Sequence, residues 1–267
     1  MTESLKQHMW NWIRPFHSPI TRALRRKLGQ NYSNHPEMEL PPPYESVQLD
    51  VERHLHDYLH VSPDAISMIV IVGAHEADEI NRLHRLYPQA RFLCFEPNPA
   101  TYERLVKKFQ NLGQVTLRKL ALGEKSGTAQ FHELDMPGNG SLLKPDLEHW
   151  ATVTQWKGKK MTTFDVVIST LDQEAAKLPA IDLLWMDVQG AEGLVLAGAT
   201  ETLKRTRATF VEVSLTESPY KGAALFPEIS ARLHADNFVC VGLGTDPRNG
   251  TGNAFFVRDF EKLICKR

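Results

Sequence analysis

The sequence predicts an α/β protein with a mostly parallel sheet covered by helices on both faces. Three observations carry that prediction. Short apolar runs of strand length recur between residues 66 and 257, segments with helical spacing separate them, and Gly or Pro marks many of the joins. Strands that alternate with helices at this spacing form βαβ units, and a parallel sheet needs cover on both faces.

The elements follow in order. Val47, Val51, Leu55 and Leu59 recur at four, so residues 47–59 are expected to form a helix packed on the domain behind it. Residues 66–72 (ISMIVIV) read as a buried strand that ends at Gly73-Ala74, with a helix over about 77–87. Arg91–Phe95 is a second strand, and Pro99 opens a helix to about Gln110, since proline suits the first helical position. Residues 114–118 form a third strand, and 127–133 are expected to fold back on 117–122 as a hairpin. A loop with Gly138, Gly140 and Pro145 follows, then a strand at 161–167. Ile181–Met186 is a short buried strand with a helix near 191–204 behind it. A strand at 209–213, a helix over Phe226–Ala235 and strands at 238–241 and 254–257 complete the pattern, and no internal repeat is visible.

Composition supports a soluble globular chain. Of 267 residues, 42% are apolar and 24% charged, which excludes global disorder and fibrous repeats and suits one large domain plus an extension. The formal net charge of −1 hides an uneven split: residues 1–30 carry six basic side chains and one acid, and the rest of the chain is acidic. Residues 1–43 are read as a basic amphipathic extension with a Pro-rich linker, and 44–267 as the catalytic domain. In the extension Ile13, Phe16, Ile20, Leu24 and Leu28 recur at three and four, Pro15 and Pro19 interrupt its first half, and Pro41-Pro42-Pro43 favours an extended spacer. With Trp10 and Trp12 among the arginines, residues 1–35 suit peripheral contact with a membrane surface; a dimerisation arm and a flap on the domain are the alternatives. No apolar run approaches the roughly 20 residues of a spanning helix, and no secretory signal is evident, so a cytoplasmic location is expected. Cys94, Cys240 and Cys265 are odd in number and lack a CxxC, against a disulfide framework or thiolate metal site. His56 and His60 share a helix spacing without an HExxH or a third ligand, so no metal is expected. The basic stretches Arg118-Lys119 and Lys157-Gly158-Lys159-Lys160 lack interleaved aromatics, so no nucleic acid is expected either.

Ligands of an open α/β sheet sit outside the carboxyl ends of the strands, near the point where strand order reverses. The first strand ends in Val72-Gly73-Ala74-His75-Glu76, where Gly73 allows close backbone approach but no GxGxxG is present. The second ends in Phe95-Glu96-Pro97-Asn98-Pro99, and Glu96 is placed to accept hydrogen bonds from both hydroxyls of a ribose. An adenosyl group without a pyrophosphate fits this pair better than NAD does.

In order along the chain, Val72-Gly73-Ala74, Phe95-Glu96-Pro97-Asn98-Pro99, Ala121-Leu122-Gly123-Glu124-Lys125-Ser126-Gly127, Gly140-Ser141-Leu142, Thr170-Leu171-Asp172, Asp187-Val188-Gln189-Gly190-Ala191-Glu192, Val211-Glu212-Val213 and Tyr220-Lys221-Gly222 resemble the FkbM-type S-adenosylmethionine (SAM)-dependent methyltransferases. The resemblance covers residues 66–257. It implies the class I seven-stranded sheet with its last strand antiparallel, SAM as cofactor, and methyl transfer to a hydroxyl of a sugar or glycan, glycolipid or secondary metabolite. It also implies a cofactor set of Gly73, Ala74, His75, Glu96, Pro97, Asn98, Ala121, Leu122, Ser141 and Asp187. Five sites depart from the family pattern. Ile71 stands where an acid is usual, His75 where Asn is, Ala77 where Gly is, and Trp185-Met186 where a Lys precedes the aspartate; Gln189 also replaces a frequent Glu.

A hydroxyl acceptor needs a proton acceptor within reach. Asp187, at the end of the central strand, is the first candidate, with binding of the methionine amine or capping of the next helix as its alternatives. Glu212, an acid in an apolar strand, and His75, a loop histidine, complete the catalytic candidates. Asn139, Gln189, Glu192 and Tyr220 are the candidate acceptor contacts; ordinary turn chemistry also accounts for Asn139, and a helix-dipole preference for Glu192. A non-catalytic SAM-binding scaffold and a nicotinamide-dependent oxidoreductase are the competing functional readings.

Overall fold

The computed structural model describes residues 49–59, 62–135, 138–148, 150, 160–246 and 250–259. The expectations for residues 1–43, for Val47, for His60, for Lys157–Lys159 and for Cys265 lie outside them.

Ten strands and seven α-helices are defined among the described residues. In chain order they are α1 (Val51–Leu59), β1 (Met68–Val72), α2 (Asp78–Leu86), β2 (Arg91–Phe95), α3 (Pro99–Phe109), β3 (Val115–Arg118), β4 (Ala121–Leu122), β5 (Gly127–Leu134), β6 (Met161–Ser169), α4 (Leu171–Glu174), β7 (Ile181–Met186), α5 (Glu192–Ala197), α6 (Thr200–Leu203), β8 (Thr206–Ser214), α7 (Phe226–Ala235), β9 (Phe238–Asp246) and β10 (Thr251–Arg258). The main sheet runs β3-β2-β1-β7-β8-β10-β9. Its strands pair in parallel from β3 to β8, and β10 is antiparallel to both β8 and β9. This is the seven-stranded class I methyltransferase order with an antiparallel last strand, as the resemblance implied.

Every residue of β1 and β7 is buried, because both strands lie mid-sheet with helices on each side. One face packs Ile69, Ile71, Leu183 and Trp185 against α1, α2 and α3, through Leu55, Ile80, Leu83 and Leu105. The other packs Val70, Val72, Leu184 and Met186 against α5, α6 and α7, through Val195, Leu203 and Ile229. On the first face a register row crosses five strands: Cys94, Ile71, Trp185, Phe210 and Phe255. Trp185 stacks on Phe210 at 3.9 Å between centroids, and the Arg82 guanidinium lies 5.5 Å above the indole. At the opposite ends of the strands, buried Asp182 accepts hydrogen bonds from the Ser67 and Met68 amides and pairs with Arg207.

Two local expectations are corrected. Residues 127–134 do not form a hairpin with 117–122. β5 pairs antiparallel with β6 along its whole length, and β4 pairs in parallel with Ile168 and Ser169 of β6. The nine-residue β6 takes the centre of a β4-β6-β5 sheet because it offers both edges to partners, whereas the two-residue β4 has too little ladder to hold a hairpin. The helix near 191–204 is broken into α5 and α6. A Cβ at Gly198 would lie 2.1 Å from the Gly123 carbonyl oxygen, so this glycine lets the two backbones touch. The Asp172 carboxylate accepts the Glu201 and Thr202 amides and so caps the restarted helix.

Candidate cofactor and acceptor site

Strand order reverses between β1 and β7, and a cleft with about 930 Å³ of empty space, part of it open to solvent, lies at their carboxyl ends. Its floor is built by three strand ends. β1 supplies Gly73 and His75, β2 supplies Glu96, Pro97 and Asn98, and β7 supplies Asp187 and Gln189. The small sheet and its loop form a wall with Phe131, Glu133, Gly138, Gly140 and Leu142, while Leu120, Ala121 and Leu122 line one end.

Gly73 has a left-handed φ of +89°, and a Cβ there would sit 1.9 Å from the Asp187 carbonyl oxygen. The β1 turn therefore lies directly on the β7 turn, and the Asp187 amide donates to the Val72 carbonyl at 3.0 Å. His75 and Ala77 are also left-handed, with φ of 38° and 64°. An alanine thus holds a conformation that glycine adopts without strain. Gly138 lies over the His75 ring, where a Cβ would be 3.2 Å from Cε1.

Glu96 is buried, and its two carboxyl oxygens accept the His75 amide at 2.9 Å and the Asn98 amide at 2.8 Å. Burial pushes its carboxyl up to about 7, with the Glu133 charge adding to the rise and the two amides opposing it. Asn98 ties three elements together. Its Oδ1 caps α3 through the Ala100 and Thr101 amides, and its Nδ2 donates to Glu133 at 2.8 Å.

At the other end of the cleft the Asp187 and Glu212 carboxyls are bridged by one side chain. Gln189 Nε2 lies 2.8 Å from Asp187 Oδ1 and 2.9 Å from Glu212 Oε2. The Tyr220 hydroxyl stands 3.1 Å from Gln189 Oε1 and 3.2 Å from the Asn139 carbonyl. Glu192 is buried, and its Oε1 accepts the Val188 and Gly190 amides, which holds the loop after β7 from below. Burial pushes the Glu192 carboxyl up to about 7. Burial also raises Glu79 of α2, which lines the cleft and feels the Asp187 charge.

Of the residues expected from sequence, Gly73, His75, Glu96, Pro97, Asn98, Ala121, Leu122, Asp187 and Gln189 line one cleft. Glu212 and Tyr220 join it through Gln189, and the Asn139 carbonyl joins it through Tyr220. Ala74 is fully buried, with its amide bonded to the Phe95 carbonyl. Ser141 is fully buried as well, and its hydroxyl accepts the Leu143 amide. Asp187 does not cap α5: the N-cap there is Ala191, without a side-chain cap. Glu79 and Glu133 were missed by the sequence reading. Glu133 shares a strand face with Phe131, two residues earlier, so its orientation was readable once 127–133 was a strand, but its partner was not. Among the described residues, no group of three or more His, Cys, Asp or Glu is placed to hold a metal ion.

The residues present fit SAM. Each Glu96 oxygen accepts a single amide, which leaves acceptor capacity for ribose hydroxyls, and Phe95, Leu120, Ala121 and Leu122 line the same cleft with apolar surface suited to an adenine. The model for the methyltransferase FkbM domain matches residues 72–240. The chain belongs to that family. As an FkbM-family member it is a SAM-dependent methyltransferase, and neither the scaffold reading nor the nicotinamide reading is favoured. It is 33% identical over 179 residues to the 2-O-methyltransferase NoeI of Sinorhizobium fredii (strain NBRC 101917 / NGR234), covering 62% of this chain and 70% of that protein. It is 26% identical over 141 residues to the hexuronic acid methyltransferase AglP of Haloferax volcanii, covering 52% of this chain and 54% of that protein.

Proposed function

We propose that this FkbM-family chain is an O-methyltransferase acting on a hydroxyl of a sugar or glycan, with Asp187 as the proton acceptor. The observation that carries the reading is the Asp187 carboxyl at the end of the central strand, in the same cleft as the Glu96 ribose cradle. The names of the two relatives support the acceptor class. When bound, SAM supplies a sulfonium methyl already activated for in-line displacement. The chain's own work is to hold, align and deprotonate. Glu96 accepts the ribose hydroxyls, and Phe95, Leu120, Ala121 and Leu122 offer apolar contact for the adenine. Glu79, a partly buried acid that lines the cleft, is available to the ammonium group, where it stands in for the acid absent at Ile71. Asp187 then remains for the acceptor hydroxyl, with Gln189, Glu212, Tyr220 and Asn139 around it. His75 takes a binding role beneath Gly138.

Calorimetric titration with SAM and NAD, followed by radiolabelled methyl transfer to a panel of glycans, tests the reading. Binding of SAM alone and label released as a methyl ether are expected; label on nitrogen or carboxyl would sink the O-methyl assignment. The same titration across pH has a defined sign. Glu96 accepts hydroxyl donors best when ionised, and its carboxyl sits at about 7, so SAM affinity should fall as pH drops through neutrality. Glu96→Gln should flatten that dependence and weaken SAM binding by about 10–100-fold, the cost of hydrogen bonds to a charged acceptor.

The basic extension is assigned a surface role from its charge, its apolar spacing and its tryptophans. No helix among the described residues is long and apolar enough to cross a membrane. Deleting residues 1–35 should leave SAM affinity intact and abolish sedimentation with anionic liposomes; retained sedimentation would remove the membrane role.

A further inference from the structure

The arrangement behind Asp187 carries a second consequence. An amide nitrogen has two hydrogens and no acceptor capacity, so Gln189 Nε2 can serve both carboxyls only as a donor. On the far side its oxygen faces the Tyr220 hydroxyl, whose single proton lies between Gln189 Oε1 and the Asn139 carbonyl. Burial and the neighbouring acids push the Tyr220 phenol up, so it stays a donor. The backbone is held as well. Gln189 is left-handed at φ 55°, and a Cβ on the following Gly190 would meet the Tyr220 and Ala223 side chains at 3.0 and 3.1 Å.

The titratable groups facing the pair are acids and a phenol from every packed element: Glu192 from α5, Glu79 from α2 and Tyr220 from the segment before α7. Asn253 of β10 is the register partner of Glu212 and carries no charge. Two neighbouring carboxyls with no cation between them do not both ionise. Burial, then the Asp187 and Glu192 charges, then a hydrogen bond with Asp187 raise Glu212 well above the usual carboxylate range.

We propose that Asp187 and Glu212 hold one proton between them, clamped by Gln189, and that Glu212 serves as a neutral donor to Asp187 and not as a base. Glu212 and Gln189 are then positioning residues, and the assignment rests on Asp187 as the proton acceptor proposed above. In the transfer step the acceptor hydroxyl's proton moves to Asp187 and its oxygen forms the new bond to the methyl carbon. The electron pair of the broken C–S bond stays on sulfur. The pair passes from one negative charge to none, and it regains that charge by releasing the proton to water.

Profiles of kcat against pH for Glu212→Gln, Glu212→Ala, Gln189→Glu and Asp187→Asn test this, with SAM affinity measured for each. Gln at 212 keeps a neutral donor, so it should cost about three- to fivefold in kcat, whereas Ala should cost about thirtyfold or more. Gln189→Glu puts a further acid directly between the two carboxyls, so the acid limb of kcat should move up by about one pH unit or more. A purely structural Gln189 would lower kcat by the same factor at every pH. That result, or a Glu212→Gln enzyme as impaired as Glu212→Ala, overturns the proposal. If Gln189→Glu fails to fold, the two Glu212 variants decide alone. Full turnover in Asp187→Asn would overturn the base reading itself, a failure distinct from loss in Glu212→Gln with Asp187 still essential.

Discussion

Asp187→Asn is expected to lower kcat by about 10²–10⁴-fold, the range for removal of a general base, while changing the SAM dissociation constant by less than about tenfold. Asparagine keeps the size of the side chain and an oxygen that can accept from Gln189, so the loop after β7 has no packing reason to move. What it loses is the capacity to take a proton from the acceptor hydroxyl. Single-turnover methyl transfer beside calorimetric SAM binding separates the two effects. The opposite pattern, lost affinity with intact turnover of the remaining complex, would make Asp187 the partner of the cofactor's ammonium group.

Gly73→Ala is expected to abolish measurable SAM binding and to destabilise the domain by about 1–3 kcal/mol or more, since it combines a left-handed φ with a clash. The new methyl would lie 1.9 Å from the Asp187 carbonyl oxygen, so β1 and β7 would have to separate at the point where their turns meet. Neither strand can yield, because all residues of both are buried. The damage would therefore fall on the cleft floor, moving His75 and Asp187 together. Thermal melting and SAM titration check the two parts. A variant with native melting and native affinity would contradict the contact.

The best-read elements were those whose signal is local. Arg91–Phe95, Ile181–Met186 and Phe226–Ala235 have the boundaries read from the sequence, since each is an apolar or helical run flanked by breaking residues. The β5 pairing failed for the opposite reason. Its partner β6 begins 27 residues after β5 ends, across a segment without a local signature, and the nearer strand offered the simpler hairpin. The break between α5 and α6 failed because Gly198 answers to Gly123, a residue far away in sequence. The site divided along the same line. Glu96 and Asp187 were legible as acids at strand ends, where the topology itself places ligands. The Gln189 bridge to Glu212 and the Asn98 bridge to Glu133 were not, because each joins side chains from separate strands.

The row through Ile71 and Trp185 changes how the departures from the family pattern should be weighed. The two residues are register partners on adjacent strands, with Phe210 stacked beside the indole. Side by side at mid-sheet, these two side chains form one apolar contact, so a charge introduced at either position would be buried against the other, with the Arg82 guanidinium over the indole as the nearby cation. The two positions are therefore coupled, and a change at one constrains what the other can accept. The core beneath the cleft stays apolar here while the acids stand in the cleft itself.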